Sequence, residues 1–480
     1  MNTFVSGFLD LREDRSKDKS VQTCFAHFRK LASTGINIHL FLSASYKDIP
    51  LPPSKTMFVE YIELEDLDAY KEVNDLEFKL ADAPTPHHDT KNFMILINGK
   101  IELVKRAIES NVFNSTHFAW IDFSINHVFR KSETLNYLSM LGNTRFTKKF
   151  LAIPGCYFDK EFRAEYLFEC IHWRYCGGFF FGDKDSILRF SDLYRSNFKN
   201  VIQEKKTLVW EVNFWTYLEL NTDFNPNWYY SGHDDTIIRV PSQFFDVVAS
   251  LTSIPPRFND SCKKAIDSLI HQVDQIYLSI PSVYKRFGEF TIPDYLYSEP
   301  YTSKVTIVNL QTDFGPATKY VGAIDKINPN TWVFVCDDDQ EYSSNIIDRM
   351  FQCVNKIGVY QNHYEHIKIK TSGGLIHGYV GLLIHSSLFK GLSNFPIPES
   401  AYFVDDQWMS IFCFLNKIPI FPTQVEYYHE IFKVLQNNHE KLGICSLSEI
   451  ENRDEKVLEL SKTFNLQFDR ENIFVLDGHK

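Results

Sequence analysis

The feature that most constrains this chain is a pattern that occurs twice. A strand-like apolar run ends on aspartate in "FAWIDFSI" (118–125) and again in "WVFVCDDDQEY" (332–342). The same landmarks surround both runs in the same order. A strand ending in Ser or Thr soon reaches an arginine, in "VSGFLDLREDR" and in "VASLTSIPPRF". A helix with an early lysine, Lys100 or Lys319, then feeds the strand that ends on Asp122 or Asp337. Beyond it comes a glycine pair, Gly177-Gly178 in "CGGFFFG" or Gly373-Gly374 in "SGGLIHGYVG". An acid beside Trp or Phe follows, Glu211 in "WEVNFW" or Asp405-Asp406 in "VDDQW". Last comes a histidine behind two tyrosines, His233 in "WYYSGHDD" or His429 in "EYYHE". Glu211 and His233 are 22 residues apart, and Asp406 and His429 are 23 apart. Six landmarks in one order are hard to obtain by chance, so the chain reads as two copies of one plan.

A chain of 480 residues is also too long for one ordinary core, and two domains are the natural expectation. The seam is expected near "RVPSQFFDVV", giving domains 1–242 and 243–480. No Gly/Ser-rich linker separates them, so they are expected to abut. Short apolar strands alternate with amphipathic segments, which predicts α/β layers with mixed, mostly parallel sheets. The expected strands are "TFVSGFL", "INIHLFLSA", "FMILI" and "FAWIDFS", then "DVVASLTS", "QIYLSIP", "KVTIVNL" and "WVFVCDD". In "GKIELVKRAIESN" the apolar Ile101, Val104 and Ile108 have helical spacing, and "GPATKYVGAIDKI" is its expected counterpart. The tail "LSEIENRDEKVLELSKTF" reads as an amphipathic helix that caps the second domain or bridges the two.

The bulk chemistry narrows the class. A net charge of −11 argues against a general nucleic-acid binder, which needs a basic footprint. The nine cysteines are scattered without a C-x-x-C pair, so reduced, packed thiols are expected rather than a disulfide framework or a zinc site. No apolar run of about 18–20 residues exists, so no membrane span is expected. The N-terminus is too quickly charged for a signal peptide, and a soluble, cytoplasmic protein is the expectation.

The three aspartates 337–339 put hard oxygen ligands at a strand end, where open α/β sheets bind ligands. If the strand continued, Asp337 and Asp339 would share a face. Clustered carboxylates repel one another unless a cation sits among them, and such a set suits Mg2+ or Mn2+. A solvated acidic turn would show the same residues, and the two readings remain side by side.

These motifs resemble a GT-A glycosyltransferase, the Rossmann-like class that uses nucleotide sugars. "DDQWMSIFCFLNKIPI" is similar to the catalytic stretch of inverting members. Most of residues 1–240 resembles the HtrL/YibB-like family through "VSGFLDLR", "KNFMILINGKIELVKRAIE", "THFAWIDFSI", "CGGFFFG", "WEVNFW" and "YYSGHDD". The resemblance implies a nucleotide-sugar donor, a glycan or glycoprotein acceptor and two transferase sites. For the second domain it implies Asp337, Asp339 and His429 as ligands of Mn2+ or Mg2+, and Arg257, Asp313, Lys319, Gly373 and Gly374 around the nucleotide sugar. Asp405 or Asp406 is then the general base that an inverting transfer requires.

The first domain has one aspartate, with Ser124 where a second would stand. Its implied set is Glu211 as base, Lys100 for phosphate, Arg12 or Arg15 for the nucleotide and Gly177-Gly178 at the sugar. Asp122 and His233, with Asp234 or Asp235, are its candidate metal ligands. Three rivals remain: one active domain beside an inactive acceptor-positioning copy, a metal-dependent phosphotransferase or nuclease, and a carbohydrate-binding protein.

Overall fold

The structure is a computed structural model that describes residues 2–9, 11, 20–82, 89–363, 376–424, 432–435, 453–468 and 474–476. The chain divides into two compact units, Met1–Phe244 and Phe245–Lys480. In the first, seven strands form one sheet: Thr3–Phe8 (β1), Asn37–Leu42 (β2), Met57–Tyr61 (β3), His117–Ile121 (β4), Leu151–Gly155 (β5), Phe179–Asp183 (β6) and Asn227–Tyr230 (β7). Their order is β3-β2-β1-β4-β6-β5-β7. Every pairing is parallel except those of β6, which runs against both neighbours.

The second unit repeats this plan. Its strands are Val247–Leu251 (β8), Gln275–Pro281 (β9), Val305–Leu310 (β10), Trp332–Val335 (β11), Val359–His363 (β12), Leu382–His385 (β13) and Ile420–Gln424 (β14). They lie in the order β10-β9-β8-β11-β13-β12-β14, and only β13 runs against its neighbours. Both units therefore carry the mixed, mostly parallel, Rossmann-like sheet expected of the GT-A class.

The sequence pattern explains the layers. β4 ("HFAWI") and β11 ("WVFV") are buried at every position, because helices cover both faces of a parallel sheet centre. The helix Lys100–Ser110 turns Ile101, Val104 and Ile108 into a core shared with Trp120, Phe180 and Trp215. In the second unit Trp408, Ile411 and Phe412 of helix Asp405–Leu415 pack with Val333, Val335 and Ile384. Each such buried side chain contributes roughly 1.5–3 kcal/mol. The tail helix Arg453–Thr463 belongs to this second core through buried Leu460, and the neighbouring Phe464 stacks on Phe395 at 4.8 Å.

Three expectations are corrected. "FMILI" is not a strand but lies in helix Lys91–Asn98, started by Thr90, whose side chain accepts from the Phe93 N–H. A five-residue apolar run suits either state, and the cap decides it. The counterpart of the Lys100 helix shrinks to a 3-10 turn, Gly315–Ala317, and one α-turn, Thr318–Val321. Gly322 follows it, and a Cβ there would stand 2.3 Å from Ser279 Cβ on β9. The strand "WVFV" stops at Val335 and the chain turns at Asp338-Asp339, so strand alternation does not govern the three aspartates.

Candidate functional site

In each sheet the strand order reverses between the first and fourth strands, which opens a crevice at their carboxyl ends. Asp122 is the first residue past β4 on that edge. Its N–H donates to the Gly178 carbonyl (3.0 Å), and Trp120 Nε1 donates to its Oδ1 (2.7 Å). Lys100, the first residue of its helix, extends Nζ to Asp122 Oδ1 (3.1 Å), Glu211 Oε1 (2.7 Å) and the Gly177 carbonyl (2.8 Å). Glu211 opens helix Glu211–Asn221, where the helix dipole favours an acid.

Lys100 and Glu211 are buried, while the Asp122 side chain is 41% exposed, so Asp122 is the member of the trio that faces solvent. Burial pulls the Lys100 ammonium down, but Asp122 and Glu211 together raise it above its ordinary value. Burial pushes the Glu211 carboxyl up, and Lys100 pulls it partly back. Gly177 leaves no room for a side chain: a Cβ would stand 2.1 Å from Glu211 Oε1.

The second unit builds the same arrangement with more acid. Lys319 Nζ meets Asp337 Oδ1 (2.6 Å) and Asp405 Oδ2 (2.9 Å), with Asp406 Oδ1 at 3.9 Å. Asp405, like Glu211, is the first residue of its helix. Asp406 accepts from Tyr320 OH (3.2 Å) and from the Gly378 N–H (3.0 Å). Burial, then the Asp405 charge, pushes the Asp406 carboxyl up to about 7. Burial pulls Lys319 down, yet Asp337 and Asp405 hold it well above the ordinary lysine range.

The remaining aspartates are held from the β8 side. Arg257 NH1 reaches Asp338 Oδ1 (2.6 Å) and Asp339 Oδ2 (3.3 Å). The Ser253 hydroxyl donates to Asp338, Gln340 Nε2 donates to Asp339 Oδ1 (3.1 Å), and the Asp337 N–H donates to Tyr342 OH (3.1 Å). Burial pushes the Asp339 carboxyl up to about 6, against the pull of Arg257. The three carboxylates thus share two basic partners, Lys319 and Arg257.

Among the described residues, the other expected site residues have partners of their own, and His233 stays within electrostatic reach of Asp122 and Asp234. Asp313 accepts from the Lys285 N–H (2.8 Å), the Gly315 N–H (2.8 Å) and Tyr402 OH (3.2 Å), so it shapes the turn ahead of Lys319. Asp234 caps the turn at Asp235–Ile238, and Asp235 accepts from the Arg130 and Lys131 N–H groups. His233 packs against Trp173 (6.3 Å) and His127 (6.0 Å); burial, then His127, lowers its pKa. Arg12, Arg15, Gly373, Gly374 and His429 lie outside the described residues.

Sequence reasoning missed Gly378, Tyr320, Ser253 and Tyr342. A Cβ on Gly378 would stand 2.7 Å from Asp406 Oδ1 and 2.8 Å from Lys319 Nζ, so Gly378 crowds its acid as Gly177 crowds Glu211. The only sequence signal for it is the third glycine of "SGGLIHGYVG", five residues past the first.

Among the described residues no three His, Cys, Asp or Glu side chains converge as a ready cation site. The donor type and the charge nevertheless suit one in the second unit. Among the described residues the basic partners of Asp337, Asp338, Asp339, Asp405 and Asp406 are Lys319 and Arg257, and burial, with the neighbouring carboxylates adding to it, raises Asp339 and Asp406. Asp337 and Asp339, with side chains 28% and 26% exposed, are the oxygen donors open to a hard cation.

Residues 53–208 match a family model described as a bacterial protein of unknown function (HtrL_YibB). No curated protein matches the chain. Among solved structures, the chain is similar to 4-diphosphocytidyl-2C-methyl-D-erythritol synthase from Anaerococcus prevotii, at 12% identity over 46% of this chain and 98% of that one, with a TM-score of 0.28. It is similar to a mannosyltransferase from Pyrobaculum calidifontis in complex with GDP-Man and Mn2+, at 11% identity over 38% and 56%, with a TM-score of 0.28. A third is the catalytic domain of Drosophila β1,4-galactosyltransferase 7 in complex with xylobiose, at 12% identity over 44% and 79%, with a TM-score of 0.27. The family match falls on the first unit, the half of the chain whose motifs resemble HtrL/YibB-like proteins.

Proposed function

We propose that the chain is a glycosyltransferase with two nucleotide-sugar sites, one in each unit. One observation carries this reading. At the same sheet edge of both units, a buried lysine joins a strand-end aspartate to the acid that opens a later helix. In this reading the acceptor hydroxyl oxygen attacks the anomeric carbon of the donor, the bond to the nucleoside diphosphate breaks, and the hydroxyl proton passes to a carboxylate. Glu211 is that base in the first unit, and Asp405 or Asp406 in the second. The Asp406 carboxyl, pushed up to about 7, supports the assignment, since a base near neutrality accepts a proton well, and burial shifts Glu211 in the same direction.

Lys100 and Lys319 keep these acids ordered and hold positive charge next to the leaving group. Arg257 fixes Asp338 and Asp339 at the donor edge. Asp337 and Asp339 are the residues that would hold Mn2+ or Mg2+, and such an ion supplies Lewis-acid stabilisation of the leaving diphosphate. Acceptor sugars are proposed to sit toward β5 and β7 of the first unit. Trp173 and Tyr230, 37% and 69% exposed, offer rings there for stacking on pyranose faces.

A screen of nucleotide sugars against the full chain, with and without Mn2+ or Mg2+, tests the reading through release of free nucleoside diphosphate. Single variants Asp122→Asn and Asp337→Asn assign each activity to a unit. Absence of both nucleotide binding and release across the donors would sink the proposal. Two sites on one chain fit sequential additions to one growing glycan, and transfer of one sugar in one linkage by both units would count against that.

A further inference from the structure

Two thiols flank the first unit's cluster, and the proposed chemistry uses neither. Cys156 follows β5, Cys176 immediately precedes Gly177, and their Sγ atoms are 3.7 Å apart. Their backbones are pinned: the Cys176 N–H donates to the Pro154 carbonyl (2.8 Å) and the Cys156 N–H to the Trp173 carbonyl (3.0 Å). Cys156 is partly exposed and Cys176 is buried. A disulfide needs the sulfurs about 2.0 Å apart, so the pair has a short way to close.

We propose that Cys156 and Cys176 are a reversible oxidation site for hydroperoxides, and that the disulfide they form loosens the Lys100–Glu211 cluster through Gly177. The sulfur of Cys156, the more exposed residue of the pair, attacks one peroxide oxygen and the O–O bond breaks. The thiol proton leaves with the departing oxygen as water, and Cys156 becomes a sulfenic acid. The Cys176 sulfur then attacks the Cys156 sulfur, the S–O bond breaks, and a second water carries off the hydroxyl and the remaining thiol proton. With hydrogen peroxide the balance is two thiols and one peroxide giving one disulfide and two waters, the two electrons coming from the sulfurs. Burial, then Cys156, pushes the Cys176 thiol far above its ordinary range, in keeping with Cys156 meeting the oxidant first.

The coupling to the site follows from the lack of slack at Gly177. Its carbonyl accepts from Lys100 Nζ (2.8 Å), and its Cα is packed against the Glu211 carboxylate. The next carbonyl, of Gly178, accepts the Asp122 N–H (3.0 Å). Drawing Cys176 toward Cys156 pulls on both contacts, and all three members of the trio feel the change.

The test uses the full chain and needs no turnover, so it stands or falls apart from the transferase reading. Hydrogen peroxide treatment, alkylation and peptide mapping should show two of the nine thiols lost to one peptide pair joining Cys156 to Cys176, recovered by dithiothreitol. In Cys176→Ala, dimedone should trap a sulfenic acid at Cys156. Hydrogen exchange at the Asp122 amide should quicken in the oxidised protein and return on reduction. Oxidation of Cys156 with Cys176 still free in the native chain would overturn the disulfide. A cross-link that leaves exchange at Asp122 unchanged would overturn the coupling.

Discussion

In the first unit one lysine faces two carboxylates, Asp122 and Glu211, whereas in the second Lys319 and Arg257 face five. The sheets beneath these sites have the same strand order and the same single reversed strand. The scaffold is therefore common, and the charge balance at its edge is what differs. Among the described residues, with every group ionised, the first site has one negative charge in excess and the second has three. Burial, with the neighbouring carboxylates adding to it, raises two aspartates of the second site, and a divalent cation could relieve the acidic excess. The comparison separates what the fold imposes, a lysine between two acids, from what the loop after the fourth strand adds.

The largest expected effect comes from the lysines. Lys319→Met leaves three acidic side chains without their shared cation, and Lys100→Met leaves two. Removing one partner of a buried ion pair costs about 3–5 kcal/mol, so both variants should open locally, the second unit more than the first. Nucleotide release at the altered site should fall about 10²–10³-fold, as for loss of one preorganised charge-stabilising group. Hydrogen exchange read over each unit's peptides checks the order, and equal opening in both would break the comparison.

Acid acts on both units, because burial also lowers His39, His172 and His233 in the first, and the largest single shift is in the second. His385 on β13 is buried against Trp332, and burial lowers its pKa from 6.5 to about 4. The unfolded chain takes up this proton near pH 6.5 and the folded chain only near 4. The stabilisation is thus complete above pH 6.5 and is lost as pH falls from there toward 4. The loss is about 3 kcal/mol, and it falls on the second unit. Denaturant melts of the native chain and His385→Gln between pH 7 and 4 should converge at the acid end.

Cation binding is the third contrast. Mn2+ at about a hundred times its Kd should stabilise the second unit by about 2.7 kcal/mol, with the effect abolished in Asp337→Asn/Asp339→Asn and reversed by EDTA. The first unit should shift less. Thermal melts followed by peptide-resolved exchange distinguish the two.

Much of this arrangement was legible in the sequence, for physical reasons that particular residues make plain. β4 and β11 are central strands buried on both faces, so they read as unbroken apolar runs, and the polar residue that follows each one marks the sheet edge. Ile101, Val104 and Ile108 have one periodicity, and only a helix satisfies it. "FMILI" has no period, so its helical state depended on the Thr90 cap rather than on the run itself. The repeated order of landmarks marked Lys100 and Glu211 as candidates, but their ion pair, across 111 residues, is a long-range contact that no local pattern encodes. Gly378 stayed hidden because its role is set by a through-space approach to Asp406, which no local pattern encodes. The turn at Asp338-Asp339 likewise depends on Arg257 and Ser253, distant in the chain.

The smallest expected effect concerns the glycines. Gly177→Ala and Gly378→Ala each put a methyl group against a site acid, at 2.1 Å and 2.7 Å before relaxation. Overpacking of this kind costs about 1–3 kcal/mol. Gly177→Ala should be the more damaging, since Lys100 holds the Glu211 carboxylate in place. Chemical denaturation of the two variants ranks them, and a harmless Gly177→Ala would mean that Glu211 can swing aside.

The most direct measurement of the central claim is nucleoside diphosphate release by the full chain and by Asp122→Asn, Asp337→Asn and the double variant, across a panel of nucleotide sugars. Two sites built on one plan predict release with at least one donor, a distinct part lost in each single variant, and none left in the double variant. Release that survives in the double variant would contradict the account, as would a chain that neither binds nor cleaves any donor.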